Sequence, residues 1–175
     1  MRIIGLAGWS GSGKTTLLTK VIPRIVARGL AVSTVKHAHH DFDIDQPGKD
    51  SHAHRAAGAT EVLIASSRRW ALVHEIRIET EPPLAMLLRK LSPVDLVLIE
   101  GYKREPHPKL EVHRAALGLP LLAAGDPAIV AIASDVELPA ARVPVIDLDD
   151  VTRLIEVLIR SAAPVDSILG RLGTS

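Results

Sequence analysis

Near the start of the chain, Gly8-Trp9-Ser10-Gly11-Ser12-Gly13-Lys14-Thr15 fits the pattern G-x-x-x-x-G-K-[ST] without a mismatch, between an apolar run and a stretch of helical periodicity. The chemistry that spacing serves is phosphate binding. Gly11 and Gly13 permit backbone angles closed to residues with a Cβ, so successive N–H groups can turn inward around phosphate oxygens while the helix N-terminus adds positive potential. In this pattern Lys14 reaches the β and γ phosphates and the Thr15 hydroxyl ligates Mg²⁺, with Gly8, Ser10, Gly11, Ser12, Gly13 and Thr16 lining the nucleotide. A chance Gly-rich turn is the bland alternative, and the flanking strand and helix signals count against it.

A phosphate loop of this kind needs an acid near the metal, carried at the end of a neighbouring buried strand. The run Asp95-Leu-Val-Leu-Ile-Glu100-Gly101 offers one at each end. In a parallel sheet Glu100 falls on the carboxyl edge, where the loop lies, and is assigned with Lys14 to the catalytic centre and with Thr15 to the metal. Asp95 falls about 16 Å away at a rise of about 3.3 Å per residue, and reads as a strand-start cap or a linking residue.

The segment from Lys36 to His52 crowds His37, His39, His40 and His52 together with Asp41, Asp43, Asp45 and Asp50. An EF-hand is excluded, because counting from Asp41 places Gln46 where Gly is needed and His52 where a bidentate Glu is needed. A His-based metal site and a solvated polar loop laced with ion pairs both remain open readings. Lys36 and His37 stand apart, since they end a strand beside the phosphate-loop strand and face the same edge. Beyond Glu100, the residues Tyr102, Lys103, Arg104, Lys109, His113 and Arg114 form a local basic patch, for which a phosphate is the simplest partner and a solvated loop stiffened by Pro106 and Pro108 the alternative.

These residues need a scaffold, and the chain supplies one in alternating pieces. Strand-like runs at Ile3–Ala7, Leu30–Val35, Val94–Ile99, Leu110–His113, Ile129–Ala133 and Val143–Ile146 alternate with helical stretches at Lys14–Arg28, Lys49–Ala57, Leu84–Leu91 and Asp150–Ala162. Asp149 is the expected N-cap of the last of these, Pro23 is expected to disturb the first, and the tail after Pro164 reads as a further short helix. Glu61–Ala65 and Arg69–Ile76, joined by a polar turn, read as an antiparallel hairpin. The expected fold is a single α/β domain over residues 1–175, a mainly parallel sheet covered by helices on both faces.

With 175 residues, 47% of them hydrophobic, and a formal charge of +1, the chain has the size and composition of one globular domain and no global field for nucleic acid or anionic lipid. Two Trp, one Tyr and one Phe leave little for stacking on bases. The absence of Cys rules out disulfides, thiolate metal sites and a Cys nucleophile, and suits a reducing cytoplasm. Ala115–Gly125, the longest stretch without polar side chains, is too short to cross a bilayer, so no membrane partner is expected.

The blocks GWSGSGKTTLL, TVKHAHHDFDIDQPGKDSHAHRAAGA and DLVLIEGYK with PKLEVHR resemble the molybdopterin-guanine dinucleotide biosynthesis protein B (MobB) family over nearly the first two thirds of the chain. That resemblance implies a P-loop protein that binds GTP and Mg²⁺, hydrolyses GTP feebly, forms homodimers and assists the guanylyltransferase that attaches GMP to molybdopterin. Together with local charge, it assigns Lys36, His37, Asp41, Lys49, Arg55, Lys103, Arg104 and Lys109 to a phosphorylated pterin such as molybdopterin or to a ligand of the partner enzyme. Read without it, the residues also fit a small-molecule kinase, in which the basic patch acts as a lid, and less well a metallochaperone, which would want cysteines. No Asn-Lys-x-Asp or Thr-Lys-x-Asp tetrad occurs, so the preference for GTP comes mainly from the resemblance. Asp135, after the strand-like run Ile129–Ala133, either accepts guanine N1–H and the exocyclic amine or caps the following turn.

Overall fold

The computed structural model describes residues 1–38 and 42–172, without the side chains of Arg171 and Leu172. The elements, in chain order, are β1 (Arg2–Ala7), α1 (Lys14–Val26), β2 (Val32–Lys36), α2 (Asp50–Ala56), β3 (Glu61–Ala65), β4 (Trp70–His74), α3 (Leu84–Lys90), β5 (Leu96–Glu100), β6 (Lys109–His113), β7 (Ile129–Ser134), β8 (Val145–Asp147), α4 (Val151–Ser161), β9 (Ala163–Pro164) and α5 (Val165–Leu172). They fall into two compact units, one made of Met1–His37 and the chain from Leu84 onward, the other of Ala38–Pro83.

The larger unit holds a sheet in the order β2-β5-β1-β6-β7-β8, every neighbouring pair parallel. Strands apolar on both faces, such as β1 and β5, need cover on both sides, and the helices provide it. On one face Ile4, Leu6, Leu98, Leu110 and Val112 pack against Leu17, Val21 and Ile25 of α1 and Leu154, Ile155 and Leu158 of α4. On the other, Ile3, Val97 and Ile99 meet Leu84 and Leu88 of α3 and Val165 and Ile168 of α5. Each fully buried aliphatic side chain contributes about 1.5–3 kcal/mol of transfer free energy. The expected class, a mainly parallel sheet with helices on both faces and one antiparallel hairpin, is the observed one.

Four local features depart from or refine the sequence reading. The N-cap of α4 is Asp150, whose Oδ1 accepts from the Arg153 N–H at 3.0 Å, while Asp149 pairs with Lys20 instead. Helix α1 runs through Pro23, whose carbonyl still accepts from the Ala27 N–H at 2.9 Å. Asp95 is a linking residue, its Oδ2 accepting from the Ala31 N–H at 2.8 Å and so tying the approach to β2 to the start of β5. The two-residue β9 runs antiparallel to the amino end of β1, pairing with Arg2 and Ile3 because β6 joins β1 only from Gly5 onward.

The face of β6 that carries Lys109 and Glu111 is polar yet buried. The Glu111 carboxylate accepts from the Leu122 and Ala123 N–H groups, both at 2.8 Å, and fixes the short helical turn Leu122–Ala124. Lys109 Nζ donates to the Glu105 carbonyl at 2.6 Å and to Asp126 Oδ2 at 3.0 Å. His107 lies over Gly5, where a Cβ would overlap the imidazole Nε2.

In the smaller unit β3 and β4 form the expected antiparallel hairpin, with register from Glu61↔His74 to Ala65↔Trp70. Arg55 of α2 organises that unit: its guanidinium lies 2.8 Å from Asp43, 3.4 Å from Asp45 and 2.7 Å from Glu75. Among the described residues no helix is long and apolar enough to cross a membrane.

Candidate functional site

The loop between β1 and α1 owes its shape to its glycines. Gly8, Gly11 and Gly13 have φ of 149°, 78° and 96°. At Gly8 a Cβ would stand 2.6 Å from both Ser12 Oγ and the Val112 carbonyl, so that position also requires the close approach of two segments. Ser12 is buried inside the loop. The Leu17 N–H reaches the Gly13 carbonyl at 2.8 Å, so the loop passes straight into the first turn of α1, whose leading N–H groups have no helical acceptor. Lys14 Nζ folds across the mouth, donating to the carbonyls of Gly8 at 3.1 Å and Trp9 at 2.9 Å.

Strand β5 adds the carboxylate. The Thr15 hydroxyl donates to Glu100, 3.1 Å from Oε1 and 3.3 Å from Oε2, so the two side chains chosen as metal ligands from sequence are in contact. Register places Lys36 of β2 directly beside Glu100, and the His37 N–H donates to the Glu100 carbonyl at 2.8 Å. The chain then turns sharply: Gly101 has φ of 96° and packs against His37, whose Cβ would lie 2.6 Å from a Cβ there, and Tyr102, at φ of 48°, sets its ring 4.7 Å from the imidazole. Lys103 Nζ lies 5.0 Å from the centre of the Trp9 ring, within cation–π range. Trp9 Nε1 in turn donates to the Pro120 carbonyl at 2.8 Å. Burial pushes the Lys14 ammonium below its ordinary pKa; Glu100 opposes the shift and Lys103 and Lys36 add to it. Three lysines and one carboxylate therefore share this edge.

On the other side of β1, Arg114 follows β6 and Asp135 follows β7. Arg114 Nε and Nη2 lie 3.9 Å from the position a Cβ on Gly13 would take, and Nη1 lies 3.5 Å from Asp135 Oδ2. Asp135 Oδ1 accepts from the Ala115 N–H at 3.0 Å, and this bond above all holds the carboxyl below the usual range. The turn after β7 is capped by Ser134, whose Oγ accepts from the Val136 N–H at 3.2 Å.

Of the residues assigned to a second ligand, Lys36, His37, Lys103 and Arg104 lie on the larger unit, and Lys103 reaches Trp9 of the phosphate loop. Lys109 is corrected: it is 1% exposed, with its charge engaged by Asp126 and the Glu105 carbonyl, so it offers no surface to a ligand. Lys49 and Arg55 belong to the smaller unit, where Arg55 is bound to three carboxylates and Lys49 precedes α2 in extended conformation. Asp41, with His39 and His40, lies outside the described residues. Among the described residues no three His, Asp or Glu side chains are gathered as a metal site. Sequence reasoning grouped Arg114 with the basic run after Glu100, whereas the sheet order carries it to the opposite side of the phosphate loop.

The family model described as molybdopterin guanine dinucleotide synthesis protein B matches residues 3–135, past the block PKLEVHR at which the sequence resemblance ends. A molybdopterin-guanine dinucleotide biosynthesis adapter protein of Escherichia coli (strain K12) is 42% identical over 160 residues, covering 90% of this chain and 91% of its own length. Its counterpart from Haemophilus influenzae is 43% identical over 125 residues, 68% of this chain and 67% of its own. A solved structure of molybdopterin-guanine biosynthesis protein B, 28% identical, superposes with a TM-score of 0.71 over 90% of this chain and 97% of its own. The phosphate-loop strand, the Glu100 strand and the Arg114 and Asp135 strand ends all fall within the matched span, and on the family model together with the 42% identity the chain belongs to the molybdopterin guanine dinucleotide synthesis protein B family.

Proposed function

We propose that the chain binds GTP with Mg²⁺ and acts as an adapter in molybdopterin-guanine dinucleotide biosynthesis, assisting the guanylyltransferase, hydrolysing GTP only weakly and working as a homodimer. The contact of the Thr15 hydroxyl with Glu100 at the mouth of a complete phosphate loop carries this reading. Thr15 and Glu100 are hard oxygen ligands of the kind Mg²⁺ prefers, and they would hold the ion. Bound there, the ion would neutralise charge between the terminal phosphates. The inward N–H groups of the loop bind the phosphates, Lys14 offers a partly desolvated ammonium to the β and γ oxygens, and Lys36, His37, Lys103 and Arg104 face the molybdopterin-carrying partner. The adapter role is supported by the Escherichia coli and Haemophilus influenzae relatives, both of which are molybdopterin-guanine dinucleotide biosynthesis adapter proteins. The exposed apolar side chains of the β3–β4 hairpin support the homodimer.

Calorimetric titration with GTP and Mg²⁺ tests the reading. The parent should bind GTP in a Mg²⁺-dependent manner, and Lys14→Ala should lose affinity at least about tenfold with an unchanged circular dichroism spectrum, since a charge-assisted hydrogen bond to phosphate contributes about 1.5–3 kcal/mol. Parent-like affinity in a folded Lys14→Ala protein would overturn it.

A further inference from the structure

We infer that Arg114 reads the base of the bound nucleotide, selecting purines that present hydrogen-bond acceptors at both O6 and N7, and that Asp135 aims it. This deepens the reading given above and rests on it. The sheet order sets the direction of the ligand. Strand β1, which ends in the phosphate loop, has β5 on one side and β6, β7 and β8 on the other. Glu100 and Thr15 mark the β5 side as the end for metal and terminal phosphates. The nucleoside of a molecule held by its phosphates on this loop then extends the other way, across the carboxyl ends of β6 to β8, the edge where parallel sheets take ligands.

A cleft lies there, lined by Gly13, Thr16, Leu17, Lys20, Arg114 and Leu148. One turn of α1 forms one wall, where Thr16 and Lys20 are exposed above the buried Leu17 and Leu148, and Arg114 completes the lining. The guanidinium is partly exposed and is oriented by its neighbours. It lies close against Gly13, at a position where φ of 96° already favours glycine, and Asp135 lies 3.5 Å from its Nη1. Asp135 itself is anchored by the Ala115 N–H. The carboxylate thus turns to its own polypeptide and to Arg114, and the guanidinium takes the place of base reader.

A guanidinium carries only donors, in a planar fork. Guanine offers two acceptors, O6 and N7, at the spacing the fork matches; adenine puts an amine donor at the 6 position, which would face other donors. The choice of residue has a consequence that separates it from a carboxylate reader. A carboxylate accepting from N1–H and the 2-amine needs that amine, whereas an arginine at O6 and N7 is indifferent to it. Hypoxanthine should therefore serve as well as guanine.

Competition for a fluorescent GTP on the full chain with Mg²⁺ decides the matter, using GTP, ITP, 7-deaza-GTP and ATP. On the parent, GTP and ITP should compete within about threefold of each other, with ATP and 7-deaza-GTP at least about tenfold weaker. Arg114→Leu should bring the GTP to ATP preference close to one, and Asp135→Asn should reduce it. ITP as weak as ATP, or a parent without preference between GTP and ATP, would overturn the inference, and both are read on the parent even if Arg114→Leu fails to fold. Retained GTP binding in Lys14→Ala is a different failure: it removes the phosphate-loop reading, and this inference with it.

Discussion

His107 shows how far a single side chain can depart from its ordinary chemistry in this fold. It is 0% exposed, and neither ring nitrogen has a hydrogen-bond partner among the described residues. Burial, reinforced by the Lys109 ammonium and only partly opposed by Asp126, pushes its pKa from 6.5 to about 4. The imidazole is neutral in the folded chain, and the unfolded chain takes up the proton first, so its contribution is intact above pH 6.5 and is lost as pH falls toward 4. Urea denaturation between pH 7.5 and pH 4 should show a loss of about 3 kcal/mol from this group, an order-of-magnitude figure from about 1.4 kcal/mol for each tenfold change in proton affinity. A folded His107→Leu protein should lose that part of the slope; equal slopes in parent and variant would refute it. The sequence did not reveal this site. Lys109, Glu111 and His113 alternate with Leu110 and Val112 as in a strand with one wet face, but groups from the loop after Ala115 bury Lys109 and Glu111, Asp126 pairing the first and the Leu122 and Ala123 N–H groups binding the second. Lys14, Thr15 and Glu100 were legible because a fixed local pattern and a strand end suffice to place them. Arg114 and Asp135 were also singled out, but their meeting was not legible, since it depends on strand order.

Among the elements, the β3–β4 hairpin leaves four large apolar side chains exposed, Leu63, Ile64, Trp70 and Leu72. Glu61, Leu63 and Ala65 share one face with His74, Leu72 and Trp70, and Leu63, Trp70 and Leu72 are 65%, 68% and 42% exposed. Two strands with such a face are marginal alone, and a second copy of the chain is the occupant that the homodimer proposal supplies. Sedimentation should find the parent as a dimer and Leu63→Glu/Leu72→Glu as a monomer with unchanged helical content. A double variant that stays dimeric would remove this face from the interface. Existence and type of the long elements were plain from periodicity, because both faces of β1 and β5 and one face of α1 are continuous apolar surfaces. The two-residue β9 has no periodicity to detect, and Asp149 and Asp150 are equally good caps until the start of α4 is known to the residue.

Over the whole molecule, a formal charge of +1 hides a concentration of cations at one edge of the sheet, where Lys14, Lys36 and Lys103 lie around Glu100. That edge is built around β1, and β1 is not completed by its neighbours in sequence. Its amino end pairs with Ala163 and Pro164, and the Arg2 guanidinium donates to the carbonyls of Ala162 at 2.6 Å and Arg160 at 3.2 Å, contacts that span about 160 residues of chain. On the ribosome β1, made before the other strands of this sheet, is therefore among the last of them to be locked. Contacts of such separation are slow to form, because loop-closure entropy is lost before the pairing repays it. Nascent chains arrested at increasing lengths should become resistant to protease only after Ile168, whose side chain seals Ile3 on the α5 face, has left the exit tunnel. Resistance acquired by chains that stop at Ser134 would show that β1 settles without its distant partner. The glycine loop would then stay made but unshaped through the synthesis of the rest of the sheet, and the ligand site would form only once α5 has been made.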